Sequence, residues 1–151
     1  MNAVPSIIRL AFQKTSFSLL CLLWFNLLAT QEAKAQNIVP AEDGTGTIVD
    51  QDGGQFNIEG GTPSGNNLFH SFEEFGLDVS EVANFLLENP DIANILSRVT
   101  GGNPSIIDGI LRVSEGDANL FLMNPSGILF GSNTQLDLGG SFAATTATGI
   151  E

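Results

Sequence analysis

Along most of this chain apolar residues come in short pairs and alternations, separated by Gly, Asn and Asp. Between Gly44 and Gly65 the pair Ile48-Val49, and then Phe56 and Ile58 around Asn57, stand out from a background of Gly, Asp, Asn and Thr. Alternation with a period of two, bounded by turn residues, predicts half-buried strands. Asn67 to Phe72 predicts another strand, ending near Gly76. One segment departs from this rhythm. Val79, Val82, Ala83, Leu86 and Leu87 sit at helical spacing, Ser80 is placed to cap, and Pro90 is placed to stop. Pro90 also pushes Asn89 towards extended geometry. A short helix is predicted over Ser80 to Leu87, and Asp91 to Val99 reads either as a further helical turn or as a strand.

From Val99 the strand punctuation returns: Ile106-Ile107, Asp108-Gly109, Ile110 to Val113, then Glu115-Gly116-Asp117. Asn119 to Gly131 is the most informative stretch. It predicts two short apolar strands hinged on Asn124-Pro125-Ser126-Gly127, where Pro125 presets φ for the second turn residue and Gly127 accepts a positive φ. Leu136 and Leu138 then alternate around Asp137, before Gly139-Gly140 and Phe142. Short strands at this regular spacing predict an all-β protein, and leave sandwich, barrel and β-solenoid open. In a solenoid each coil would bury its inner face on the next, with Asn and Gly at the corners.

The first 35 residues read differently. Arg9 and Lys14 make a basic start, Phe17 to Ala29 is an apolar run, and Ala33-Lys34-Ala35 fits a small-x-small cleavage site. The run is shorter than the roughly 18–20 apolar residues of a spanning helix. It predicts a signal peptide, residues 1–35, removed to leave Gln36 to Glu151. Cys21, the only cysteine, goes with it, so the exported part carries no disulfide. Removal also leaves Arg98 and Arg112 against sixteen acidic residues, more negative than the −12 of the whole chain. That excludes nucleic acid and anionic membrane surfaces as partners, since both are bound through Lys and Arg.

Candidate chemistry is thin. His70 is the only histidine, no Gly-x-Ser-x-Gly places a nucleophile beside it, and it reads as a buried or turn-capping residue. One histidine and no retained cysteine exclude the usual closed zinc site. Glu42, Asp43, Asp50 and Asp52 lie close in sequence, but a calcium loop from Asp50 would put Gln55 and Gly61 where glycine and a bidentate Glu belong. Glu73-Glu74 and Glu88 are carboxylates of the kind sugar cleavage uses, with nothing to rank them above the other acids. No metal, no cofactor and no enzyme activity are predicted.

Four ordered blocks resemble the haemagglutination-activity, or two-partner secretion (TPS), domain of the filamentous haemagglutinin family. They are Asn67 to Phe72 with Phe75; Asn94 to Gly102 with Ser105 to Gly109; Asn119 to Gly131; and Gly139 to Thr145. The resemblance implies a right-handed parallel β-helix with an N-terminal cap and short extra-helical elements. It implies export through the inner membrane, then secretion or attachment at the cell surface. The implied partner is a TpsB-type outer-membrane transporter with periplasmic POTRA domains, the membrane being met only in passage. By motif match Asn124, Pro125, Ser126, Gly127 and Ile128 are the secretion motif, with Ser126 where the family often has Asn. The same turn also reads as a folding element of the β-helix. The family's domain runs further and is followed by large passengers, so residues 36–151 are expected to be its N-terminal portion, truncated. The alternative is a free-standing, surface-exposed carbohydrate-binding or adhesion β-module. An exposed aromatic platform would favour it, yet the one Trp lies in the leader and there is no Tyr.

Overall fold

A computed structural model describes residues 37–148; the predicted signal peptide and its cleavage site lie outside the described residues. Every regular element described is a strand: β1 (Ile38–Pro40), β2 (Thr47–Asp52), β3 (Gln55–Gly60), β4 (Thr62–Ser64), β5 (Asn67–Phe75), β6 (Val82–Leu86), β7 (Asn94–Val99), β8 (Ser105–Ile107), β9 (Ile110–Ser114), β10 (Asn119–Met123), β11 (Ile128–Phe130), β12 (Gln135–Asp137) and β13 (Phe142–Thr145). The parallel strands fall into three sheets. One runs β5-β7-β10-β13, one β3-β6-β9-β12, and a third pairs β8 with β11. The chain visits the sheets in rotation and comes back one strand further along each. That is a β-solenoid. Its first coil is β3, β5 and Leu77, which bridges to Ile107 of the next coil; β6-β7-β8 and β9-β10-β11 follow, and β12-β13 begin another.

Parallel in-register stacking puts like residues over like. In one sheet Leu68 lies beside Ile95, Ile95 beside Leu120, and Leu120 beside Phe142. In another, Phe56, Ala83, Leu111 and Leu136 form a matching row. These inward rows make one continuous core. Phe72, Phe75 and Phe85 meet at its centre in edge-on and stacked pairs, with centroids 5.1 to 6.4 Å apart. Each such ring withdraws enough apolar surface from water to contribute about 1.5–3 kcal/mol.

The two ends of the stack differ. At the N-terminal end the edge of β5 is covered by β4 over Asn67–Phe69 and by β1 over Phe72–Phe75, both antiparallel, and β2 covers β3 in the same way. Pro40, which has no N–H to offer a neighbour, sits at the bulge of this outermost strand. These strands cover the edges of β3 and β5 and become the outermost strands at this end. At the other end Phe130 and Leu136 occupy inward rows yet are 47% and 51% exposed, because no further described coil stacks on them.

The helix predicted over Ser80 to Leu87 is not formed. Val82–Leu86 is β6, paired parallel with β3 and β9, and Ser80 sits at φ 71° in a turn rather than as a cap. The buried apolar residues are Ala83, Phe85 and Leu87, a period of two. The neighbouring strands supply ladder partners that a helix would leave without any. Within Asp91 to Val99, Asn94–Val99 forms a strand, β7, and Asp91 belongs to the turn before it. Before it, Pro90 occupies a turn closed by Ile92 N–H to the Asn89 carbonyl, and the Asn89 side chain accepts from Asp91 N–H.

Candidate functional site

The turn between β10 and β11 is built as its residues dictate. Gly127 N–H donates to the Asn124 carbonyl at 3.0 Å, Pro125 takes the second position, and Gly127 adopts φ 118°. The motif divides into a buried half and an exposed half. Asn124 is only 1% exposed. Its Nδ2 donates to the Asn103 carbonyl and to Ser105 Oγ, both at 2.9 Å, and its Oδ1 accepts from Ser126 N–H at 2.9 Å. Its backbone N–H donates to the Thr145 carbonyl. Asn124 therefore ties its own turn to the preceding coil by the side chain and to the following coil by the backbone. Ser105 N–H donates to the Gly127 carbonyl and reinforces the joint. Pro125 and Ser126 stand exposed at the tip, and Gly127 and Ile128 are half-buried. The tip borders an open groove of about 310 Å³ that crosses successive coil corners and is also lined by Arg98, Thr100, Gly102 and Thr148. Arg98 has Asp43 loosely opposite it at 3.9 Å, an exposed pair of small energetic weight.

The partners of Asn124 were not singled out in the sequence. The signal is present, however: Asn103-Pro104-Ser105 repeats the Asn-Pro-Ser of the motif one coil earlier. Two asparagine ladders carried a similar signal. Asn94 Nδ2 donates to Asn67 Oδ1 and Asn119 Nδ2 to Asn94 Oδ1, at separations of 27 and 25 residues, and Asn119 Oδ1 accepts from Ser141 N–H 22 residues on. On another sheet Asn84 donates to Asn57 and accepts from Ser114 Oγ. These ladders fix the length of each coil and the register that sets the motif at its corner.

The other candidate residues do not converge. Asp43 lies in the turn before β2, bound to Thr45, while Asp50 and Asp52 point into solvent from β2. Among the described residues no three His, Cys, Asp or Glu side chains gather at one place. Glu73 and Glu88 are exposed, and Glu74 accepts from Asn103 Nδ2. His70 is a buried core residue, 3% exposed, and burial lowers its pKa from 6.5 to about 4.

Comparison with known proteins agrees with this architecture. The chain is 28% identical over 113 residues to the heme/hemopexin-binding protein of Haemophilus influenzae, a match covering 74% of this chain and 11% of that protein. The crystal structure of the HMW1 secretion domain from Haemophilus influenzae superposes with a TM-score of 0.52 at 25% identity, over 74% of this chain and 27% of that one. The chain thus spans a small part of each. The family model of the TPS secretion domain matches residues 34–151. A capped, parallel β-solenoid with these blocks in this order belongs to the TPS secretion domain family.

Proposed function

We propose that this chain carries the address by which a two-partner secretion exoprotein leaves the cell. A signal peptide over residues 1–35 takes it through the inner membrane. A TpsB-type outer-membrane transporter then recognises it through periplasmic POTRA domains and passes it outward, to be secreted or held at the surface. The domain has no catalytic role and needs no cofactor. The observation that carries this reading is the family match over residues 34–151.

The geometry supports a division of labour within Asn124, Pro125, Ser126, Gly127 and Ile128. The Asn-Pro-Ser-Gly turn closes on itself through Gly127 N–H and Asn124 O, so it can form locally in a chain that is otherwise extended. Its exposed tip, Pro125-Ser126, is then available to the transporter. Once outside, Asn124 finds Asn103, Ser105 and Thr145, and the turn becomes a structural joint. The capped first coils fold as a unit, and the uncovered last coil offers a template on which further coils can stack. The POTRA contact is assigned to strand addition at a sheet edge, in which main-chain hydrogen bonds give affinity.

The test is binding. Purified POTRA domains are titrated with the chain diluted from denaturant and, separately, with the fully folded chain. Binding to the freshly diluted chain, weakened about tenfold or more by joint Pro125→Ala and Ser126→Ala, is the expected result. Equal binding by the parent and the double variant would remove the tip from the mechanism. Binding by neither form of the parent would remove the transporter reading.

A further inference from the structure

We propose that His70 is an acid-sensitive latch on the first coil: its imidazole is enclosed only while neutral, so mild acid weakens the closure of β5 and the cap strands resting on it, and neutral pH strengthens it. His70 sits in the middle of β5, beside the rings of Phe72 and Phe85 at centroid distances of 6.2 and 5.7 Å. Neither Nδ1 nor Nε2 has a hydrogen-bond partner. The parallel register sets Ser97 of β7 beside it, and that hydroxyl, fully buried, is unpartnered as well. On another side the backbone of Gly61 is so near that a Cβ there would lie 2.9 Å from the ring Cε1.

A neutral imidazole has one N–H to satisfy; an imidazolium has two and a full charge. Neither ring nitrogen reaches an acceptor, Ser97 Oγ included, and no counter-ion is buried with it. The buried residues of β3, β6 and β7 are Phe56, Ile58, Ala83, Asn84, Phe85, Ile95, Ser97 and Val99, and none of them ionises. The charged residues on the elements around it, Asp50 and Asp52 of β2, Glu59, Glu73, Glu74 and Arg98, together with Asp43 beside Ser71, are each at least partly exposed. Burial alone sets the imidazole's affinity for protons, holding the folded pKa at about 4 against an ordinary 6.5. Between these values the unfolded chain takes up a proton that the folded chain refuses. The folded state is therefore at full strength above about pH 6.5 and loses ground as pH falls towards 4.

The latch concerns folding and stands whether or not the chain is exported. Its use in timing, with closure deferred until the chain meets neutral surroundings, rests on the secretion reading. Because the chain has a single histidine, its imidazole Cε1 proton gives one NMR titration curve. In the full chain this resonance should stay at its neutral position through pH 6 and move only as the chain unfolds. The folding equilibrium constant should fall about 30-fold from pH 8 to pH 5, over and above the fall in His70→Leu and His70→Gln. A folded imidazole titrating near 6.5, or identical pH slopes in the parent and both variants, would overturn the latch. Should the variants fail to fold, the NMR curve of the parent decides alone.

Discussion

At the scale of single residues, the motif separates into positions that hold the fold and positions that face outward. Asn124 uses both its amide donor and its acceptor within a buried joint. Asn124→Ala strips partners from the Asn103 carbonyl and from Ser105 Oγ, and should cost about 1–3 kcal/mol in urea unfolding. Ser126→Ala removes an exposed hydroxyl and should stay within about 0.5 kcal/mol of the parent. The contrast matters, because a secretion defect in Asn124→Ala would mix folding with recognition, whereas a defect at Ser126 would report recognition alone. His70 shows the opposite economy: a polar group kept in the core without partners, tolerable only because an imidazole can shed its charge.

At the scale of elements, coils are defined by what lies beside them. Phe85 is 1% exposed and touches Phe72, Phe75 and His70. Phe85→Ala should cost about 3–5 kcal/mol, read as a lower urea midpoint with little change in slope. This same strand marks where sequence reading stopped. Val79, Val82, Ala83, Leu86 and Leu87 do fall at helical spacing, and Phe85, which breaks that pattern, is buried in the aromatic cluster of the core. So short a window cannot tell the two periods apart; ladder partners on β3 and β9 decide, and they lie 27 or more residues away in the chain. The strands around it, from Phe56–Ile58 to Leu136, were legible because each alternates locally. The choice of solenoid over sandwich was not legible from alternation, since both bury every second residue; it came with the ordered family blocks. The Asn124 turn was legible as a turn. Its burial was not, because Asn103, Ser105 and Thr145 reach it only after three coils stack.

At the scale of the whole molecule, the solenoid has direction. Its first coil is sealed by β1, β2 and β4, and its last described coil is open, with Phe130 and Leu136 uncovered. Further parallel coils can stack on the open end. That polarity suits a chain that is led out and folds outside, and the excess of negative charge opposes premature collapse by self-repulsion. The most direct measurement is export. The full chain is produced with and without a TpsB-type transporter, and its distribution between periplasm and culture medium is measured. The chain should reach the medium only when the transporter is present, with Ser126→Asp retained in the periplasm although its stability is unchanged. Retention of the folded parent chain in the periplasm despite an active transporter, or its appearance in the medium without one, would contradict the account.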